Sequence, residues 1–265
     1  MLQFCANLKW LFTEFSFLER FDEAAKAGFT AVEYASPYEY KAAELRSRLR
    51  GLGLKQILIN TPTGDSAAGG ASGWACVPGK GAEFRDGVRK ALDYAHSLDC
   101  SLVHVMAGIQ PSGVSYDTAS AVYLMNIAWA VEEARGAGVK LTLEPINQQD
   151  VPGFFLRTQE QGAAVIEAIG SNHLGLQFDV YHCQVAQGDV TRRIEKFISA
   201  IAHMQIADVP GRHEPGTGEI AWDHIFHCIE RLGYTGWIGC EYRPVHNKTA
   251  QGLAWQSRYA SRPAA

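Results

Sequence analysis

Residues 139–144 read VKLTLE, and residues 174–179 read LGLQFD. Each is a short, nearly continuous apolar run that ends in an acidic residue, Glu144 in the first and Asp179 in the second. Apolar runs of this length are typical of strands that are buried on both faces of a parallel sheet. We therefore interpret both segments as buried parallel strands with a carboxylate at the carboxyl end.

Six further segments have a similar character, and longer amphipathic stretches such as 82–98 and 117–135 separate them. The six lie at 2–7, 30–35, 54–60, 101–106, 202–207 and 237–242. Alternating strands and helices indicate an α/β fold with a parallel sheet and right-handed crossovers. Eight such units in about 250 residues predict a single (β/α)8 TIM barrel with eight parallel strands. An open doubly wound sheet is the alternative, although no G-x-G-x-x-G follows the first strand.

The whole chain, 1–265, is expected to form this one domain, with the barrel at about 2–245 and a C-terminal tail at 246–265. Its composition is globular, with 47% hydrophobic and 20% charged residues, which excludes a disordered chain. A net charge of −4 argues against a nucleic-acid partner. Six scattered cysteines without a C-x-x-C motif are typical of a reduced, cytoplasmic protein. No signal peptide or membrane span is expected, because no apolar stretch approaches about 18 residues.

Polar side chains recur late in four consecutive predicted strands. They are Glu144, Asp179, Gln205 and Glu241, separated by 35, 26 and 36 residues, each about one strand–helix unit. In a barrel the carboxyl ends of consecutive strands are neighbours, so the four side chains should converge on the face where barrel active sites lie. Three clustered carboxylates repel one another and are costly to desolvate. A divalent cation would offset this cost, and oxygen ligands favour Mg²⁺ or Mn²⁺ over Zn²⁺. The alternative is that each acid caps a neighbouring backbone group.

Three further features could belong to the same face. His182 follows Asp179 by three residues, and Arg212 lies in a Gly- and Pro-rich loop where it could clamp a substrate carboxylate. A solvated turn is the alternative for that loop. Residues 61–80 form a long Gly- and Ala-rich loop, which we interpret as a lid. His104, inside the fourth predicted strand, is expected to be a hydrogen-bonded core residue.

Several motifs carry a resemblance to a known family. They are EPIN at 144–147, QFDVYH at 177–182, HMQIAD at 203–208, GRHEPGTGEI at 211–220 and GWIGCEY at 236–242. Together they resemble the hydroxypyruvate isomerase family of the xylose-isomerase-like barrel superfamily. The resemblance implies a divalent metal held by Glu144, Asp179, Gln205 and Glu241. It also implies that Glu144 and Glu241 are the catalytic acid and base, and that His182 and Arg212 contact substrate.

The function implied is a metal-dependent interconversion of hydroxypyruvate and 2-hydroxy-3-oxopropanoate (tartronate semialdehyde) through an enediolate, within glyoxylate metabolism. The order Arg212-His213-Glu214 is more similar to the 2-oxotetronate isomerases, which remain an alternative together with ketose 3-epimerases. A metal-dependent phosphodiesterase similar to endonuclease IV, or a binding protein without catalysis, is a lesser alternative. The expected partner is a small 2-oxo acid or sugar, and the expected assembly is a homo-oligomer.

Overall fold

The computed structural model describes residues 1–64 and 72–259. The strands are β1 (Gln3–Asn7), β2 (Ala31–Glu33), β3 (Lys55–Gln56), β4 (Leu58–Asn60), β5 (Leu102–His104), β6 (Lys140–Leu143), β7 (Leu174–Asp179), β8 (Ile201–Ile206) and β9 (Trp237–Cys240). The helices are α1 (Glu19–Lys26), α2 (Ala42–Leu52), α3 (Gly81–Leu98), α4 (Tyr116–Ala137), α5 (Gln159–Ile169), α6 (Val180–Ala186), α7 (Val190–Phe197) and α8 (Trp222–Arg231). Two short 3-10 helices, Thr249–Gly252 and Ala254–Arg258, follow the barrel.

All strands of the sheet are parallel, in the order β3-β2-β1-β9-β8-β7-β6-β5-β4. The two strands at the ends of this order, β3 and β4, are separated in the chain by Ile57 alone. β3 pairs with β2, and β4 pairs with β5, so the sheet closes on itself. The predicted TIM barrel is therefore confirmed. The third predicted strand differs from the expectation because it divides at Ile57, the point at which its pairing passes from one neighbour to the other.

Local signals in the sequence account for the helix ends. The Ser115 hydroxyl accepts a hydrogen bond from the Thr118 amide at the start of α4, and the Thr158 hydroxyl accepts one from the Gln161 amide at the start of α5. Such caps satisfy backbone donors that have no partner within the helix. Gly138 ends α4 with φ of 69°, a left-handed conformation that glycine adopts without strain. No helix in residues 1–64 and 72–259 is both long and apolar enough to cross a membrane.

The C-terminal segment packs on the flank of its own barrel. The ring of Trp255 stacks on Phe226 with 5.8 Å between centroids and meets Phe4 edge-on at 5.0 Å. Tyr259 also contacts Phe226, at 4.6 Å. Residues 260–265 of the predicted tail lie outside the described residues.

The predicted lid is described only in part, because residues 65–71 lie outside the described residues. Its first residue, Thr61, donates its amide to the His104 carbonyl at 2.8 Å, and Cys76 donates to the Ala107 carbonyl at 2.9 Å. Both described arms of the loop are thus attached next to β5. Closure of the loop over the site stays a prediction.

Candidate active site

The four polar side chains singled out in the sequence lie at the carboxyl ends of four adjacent strands. Asp179 is the last residue of β7, and it pairs in register with Gln205 of β8. Glu144 and Glu241 directly follow β6 and β9. Asp179 is completely buried, and Glu144 and Gln205 are 5% and 2% exposed. The barrel therefore brings the four together, on the side of the order that runs from β6 to β9.

Arg212 lies among these acids. Its Nη2 atom is 3.0 Å from Glu241 Oε1 and 3.6 Å from Asp179 Oδ2, and its Nη1 atom is 3.1 Å from Asp150 Oδ2. The guanidinium also lies 4.6 Å from the ring centroid of Trp10 and 4.7 Å from that of Tyr181. The loop that carries Arg212 is thus packed into the site and is not a solvated turn. Because the guanidinium already contacts carboxylates of the protein, its first role is to offset their charge.

Glu241 is held by donors from β1 and the residues after it. The Trp10 indole N–H donates to Glu241 Oε1 at 3.0 Å, and Asn7 Nδ2 donates to Oε2 at 3.3 Å. Burial raises the pKa of Glu241 above its ordinary value, although the neighbouring Arg212 opposes this shift. The carboxyl group thus has a defined orientation and a pKa displaced toward neutral pH, both of which suit proton transfer.

Glu144, Asp179 and His182 each offer one atom that could bind a metal, and these three atoms lie within 4.8 Å of one another. His182 Nε2 is 3.7 Å from Asp179 Oδ2 and 4.0 Å from Glu144 Oε1. On the other side of the ring, His182 Nδ1 is 2.7 Å from Asn147 Nδ2 and 3.5 Å from the Asn147 backbone amide. Two donors therefore face Nδ1, which makes it an acceptor and leaves the ring proton on Nε2, toward the acids.

The pKa shifts in this group indicate that nearby positive charge does not fully offset the buried carboxylates. Burial raises the pKa of Glu144 well above its ordinary value, and the charges of Glu241 and Asp179 raise it further. Burial also raises the pKa of Asp179 to about 7, although Arg212 opposes the shift. The pKa of His182 is lowered well below its usual value by burial, so its ring does not supply the missing charge.

One buried carboxylate oxygen of this site has no hydrogen bond to satisfy it within the described part of the chain. Asp179 Oδ2 is buried and has no hydrogen-bond partner among residues 1–64 and 72–259, and the Arg212 guanidinium, 3.6 Å away, is too far to donate a hydrogen bond to it. A buried carboxylate oxygen without a donor is costly unless a cation approaches it. Oxygen atoms of Glu144 and Asp179 are ligands that hard divalent cations prefer. The carboxylate oxygens of Glu144 and Asp179, which lie within 4.8 Å of each other, thus fit a divalent metal.

Gln205, which pairs in register with Asp179, is hydrogen-bonded to two other buried polar side chains. Its Oε1 atom accepts a hydrogen bond from Gln177 Nε2 at 2.8 Å, and its Nε2 atom donates to Glu33 Oε1 at 2.8 Å. A carbonyl oxygen has a second lone pair, so these bonds leave one acceptor position on Gln205. Metal binding by Gln205 stays a prediction.

Sequence reasoning missed several residues of this region. Asn7 and Trp10 contact Glu241, and Glu33 contacts Gln205. The rule that found the four polar residues, a polar side chain at a strand end, would also have found Asn7 and Glu33 had it been applied to the first two strands.

His104 also differs from its prediction. It is buried as expected, but neither ring nitrogen has a hydrogen-bond partner in the part of the chain that the structure describes, and Nδ1 lies 3.3 Å from Glu144 Oε2. Burial lowers the pKa of His104 to about 3, so the ring is neutral at ordinary pH. The expectation of a hydrogen-bonded core histidine was therefore wrong, because the ring borders the acid cluster.

Comparisons with known proteins agree with this architecture. Residues 21–259 match the family model described as xylose isomerase-like TIM barrel. A 2-oxo-tetronate isomerase of Cupriavidus necator is 46% identical over 99% of this chain and 100% of its own length. The hydroxypyruvate isomerase of Escherichia coli strain K12 is 42% identical over 98% of this chain and 100% of its own length. A crystal structure from Brucella melitensis, described as an AP endonuclease of family 2, has a TM-score of 0.94 at 40% identity and covers 98% of this chain and 100% of that chain.

These matches extend over nearly the full length of the chain, so the enzyme class can be stated. The curated relatives are isomerases, and so is this protein. Both the barrel and the acid cluster at its carboxyl ends are consistent with that class. The chain thus belongs to the xylose isomerase-like TIM barrel family, in the group whose curated members are named hydroxypyruvate isomerase and 2-oxo-tetronate isomerase.

Proposed function

We propose that this protein is a metal-dependent isomerase that interconverts hydroxypyruvate and 2-hydroxy-3-oxopropanoate. The proposed ligands are Glu144, Asp179, Gln205 and Glu241, and the proposed metal is Mg²⁺ or Mn²⁺. The observation that supports this most directly is the fully buried Asp179 Oδ2, which lies close to the buried Glu144 carboxylate and has no hydrogen-bond partner within the described ranges. An all-oxygen set of carboxylates and one amide favours these hard cations.

The reaction moves one hydrogen between adjacent carbons. A base removes a proton from C3 of hydroxypyruvate, and the electron pair forms a C2–C3 double bond while the C2 carbonyl oxygen becomes an oxyanion. The C2 oxyanion then takes up the proton that the hydroxyl on C3 gives up, the C3–O bond becomes the aldehyde carbonyl, and the electron pair of the C2–C3 double bond takes a proton at C2. A bound divalent metal would supply Lewis-acid stabilisation of the oxyanion. The protein must therefore supply two groups that exchange protons with carbon.

Glu144 and Glu241 are the proposed pair. They follow β6 and β9, the outer two of the four adjacent strands, so a substrate between them would present opposite sides to the two carboxyl groups. The pKa of each is raised by burial, which favours a carboxyl group that can hold a proton near neutral pH. Donors from Trp10 and Arg212 fix the orientation of Glu241.

His182 and Arg212 are proposed to contact substrate. The Nε2–H of His182 faces the acid cluster, where it could donate a hydrogen bond to a substrate oxygen. Arg212 spans Glu241 and Asp150, so it would bind substrate at the same time as it holds the carboxyl group of Glu241. This shared use makes Arg212 important for both binding and turnover.

A second candidate substrate is a 2-oxotetronate, which undergoes the same carbonyl transfer between C2 and C3 and has one carbon more. The observation that favours it is the higher identity, 46% against 42%, to the relative named for that substrate. The same catalytic groups are proposed for both substrates. The 2-oxotetronate additionally needs room in the site for its fourth carbon, beyond C3.

The experiment is a turnover assay on protein stripped with a chelator and resupplied with Mg²⁺ or Mn²⁺. Hydroxypyruvate and 2-oxotetronates are compared by kcat/KM, with an NADH-dependent reductase that reports the aldehyde formed from hydroxypyruvate and chromatographic detection for the longer substrate. We expect turnover only with metal. Equal turnover in the presence of excess chelator would contradict metal dependence, and no turnover of either substrate with metal would contradict the function. The same preparation is expected not to cleave DNA with abasic sites.

A further inference from the structure

Below the acid cluster lies a buried carboxylate that the proposed mechanism does not use. Glu33 is at the carboxyl end of β2, and none of its surface is exposed. Its Oε1 atom accepts hydrogen bonds from Asn7 Nδ2 and Gln205 Nε2, both at 2.8 Å. Its Oε2 atom accepts from His203 Nε2 at 2.6 Å and from Cys5 Sγ at 3.4 Å. With two donors on each oxygen, this group acts only as an acceptor.

The acceptor character of Glu33 determines how two glutamine amides are oriented. Gln205 must turn its NH2 group toward Glu33, because its carbonyl oxygen would be repelled there. That oxygen therefore points away and accepts a hydrogen bond from Gln177 Nε2 at 2.8 Å. The Gln177 carbonyl oxygen in turn accepts from the Thr142 hydroxyl at 2.9 Å. A row of hydrogen bonds with one direction thus crosses the barrel interior from β6 to β2.

Glu33 also reaches a member of the proposed catalytic pair. The Asn7 NH2 group that donates to Glu33 also donates to Glu241 Oε2 at 3.3 Å. The Asn7 carbonyl oxygen accepts the backbone amide of Lys9 at 3.1 Å, so this side chain has one orientation. Gly239 on β9 provides the space, because a Cβ atom there would overlap the Glu33 carboxylate.

We propose that Glu33 is a positioning residue of the active site. It fixes the amide of Gln205 for metal binding and, through Asn7, the carboxyl group of Glu241. This inference rests on the proposed function, since it assigns Gln205 and Glu241 their roles. Such indirect partners of metal ligands usually contribute about 10–100-fold to metal affinity or activity.

An alternative role for Glu33 is to bind a second metal ion. Ligand atoms of Cys5, Glu33 and His203 lie within 4.8 Å of one another. Cys5 and His203, however, both direct hydrogen-bond donors at Glu33. A metal would require the loss of both protons, and burial together with the charge of Glu33 raises the pKa of the Cys5 thiol well above its usual value. The geometry therefore favours a hydrogen-bonded network around Glu33 without a metal. The number of metal ions bound per protein tests this.

The test is Glu33→Gln, which keeps the shape of the side chain and turns one acceptor into a donor. Calorimetry should show Mn²⁺ binding weakened about 10–100-fold, and kcat at saturating metal should fall while KM for substrate changes less than threefold. Gln56→Met is the matched control, since it removes a buried amide on the neighbouring strand β3 that donates to the Leu58 carbonyl at 2.8 Å and has no part in the proposed network. It should bind Mn²⁺ and turn over as the wild type does. The wild type and Glu33→Gln should each lose one equivalent of metal, and no more, on dialysis against a chelator.

Wild-type Mn²⁺ affinity and kcat in folded Glu33→Gln would overturn the proposal, and so would a second equivalent of metal that is absent from this variant. If Glu33→Gln does not fold, Gln177→Met leaves Glu33 in place and removes the donor to Gln205. Weaker Mn²⁺ binding by Gln177→Met supports the proposal, and unchanged binding contradicts it. Because affinity is measured without substrate, an inactive wild type would contradict the proposed function and leave this test intact.

Discussion

Glu33 and Asp179 lie at the carboxyl ends of β2 and β7, and neither side chain is exposed to solvent. Glu33 accepts hydrogen bonds from four side chains. Asp179 accepts one from the Tyr181 amide through Oδ1, and its Oδ2 atom has no hydrogen-bond partner among the described residues. Burial would raise the pKa of both. For Glu33, His203 and the amide donors lower the pKa below its usual value, whereas the pKa of Asp179 is raised to about 7.

The difference shows that burial alone does not identify a carboxylate that binds a ligand. The Glu33 carboxylate is complete within the protein, so its charge can organise neighbouring groups. Arg212 offsets the charge of Asp179 only in part, since its guanidinium lies 3.6 Å from Oδ2, so a divalent cation would stabilise this buried oxygen further. Removing charge, metal or protons should therefore affect the two carboxylates differently.

The largest effect is expected for Glu241→Gln. This change keeps the hydrogen-bonding shape but removes the group proposed to exchange a proton with substrate, so kcat should fall about 10²–10⁴-fold. Initial rates at saturating metal measure it. Glu219→Gln, an exposed acid on the loop that carries Arg212, is the control and should keep wild-type kcat. Near-wild-type turnover by Glu241→Gln with metal bound would show that the assignment is wrong.

Metal should stabilise the wild type and not Asp179→Asn. A ligand at 100 times its Kd raises the free energy of unfolding by about 2.7 kcal/mol. Removing the charge of Asp179 should abolish this gain while leaving the metal-free protein at least as stable as the wild type. Glu33→Gln should instead destabilise the metal-free protein by about 1.5–3 kcal/mol, because hydrogen bonds to a charged group are lost. Urea unfolding with and without Mn²⁺ measures both, and equal metal-free stability of the two variants would remove the contrast.

A smaller effect is expected from pH. Because the pKa of Asp179 is about 7 in the folded metal-free protein and lower when unfolded, the folded state binds the proton more tightly. The free energy of unfolding should therefore fall as pH rises from 6 to 8, by about 1 kcal/mol from this group. Urea midpoints of chelator-treated protein at both pH values measure the slope. Asp179→Asn should flatten it, and a slope that persists unchanged would assign it to other groups.

Much of the fold was accessible from the sequence, because short apolar runs alternate with amphipathic helices at a regular spacing. The same regularity located Glu144, Asp179, Gln205 and Glu241, since one strand–helix unit separates each from the next. It could not show that the third strand divides at Ile57, which depends on pairing with two different neighbours.

The contacts that cross the barrel were also beyond the sequence. Glu33 and Gln205 are 172 positions apart, and Asn7 and Glu241 are 234 apart. Periodicity places each residue on its strand, but distances across the interior follow from barrel closure and side-chain conformation. The same reason explains why His104 was predicted to be an ordinary core residue and instead borders Glu144.

The most direct test of proton transfer by two glutamates is hydrogen exchange during turnover in D2O. Hydroxypyruvate is incubated with the Mg²⁺-loaded protein, and the hydrogens on C3 of the substrate and on C2 of the product are followed by proton NMR. The account predicts that solvent deuterium enters C2 of the product, that a chelator stops this labelling, and that Glu144→Gln and Glu241→Gln each lose it, because C2 is labelled only when one carboxyl group has removed the C3 proton and the other has delivered a deuteron. Isomerisation in which the product keeps the substrate hydrogen without any exchange, or exchange that continues in the presence of chelator, would contradict it.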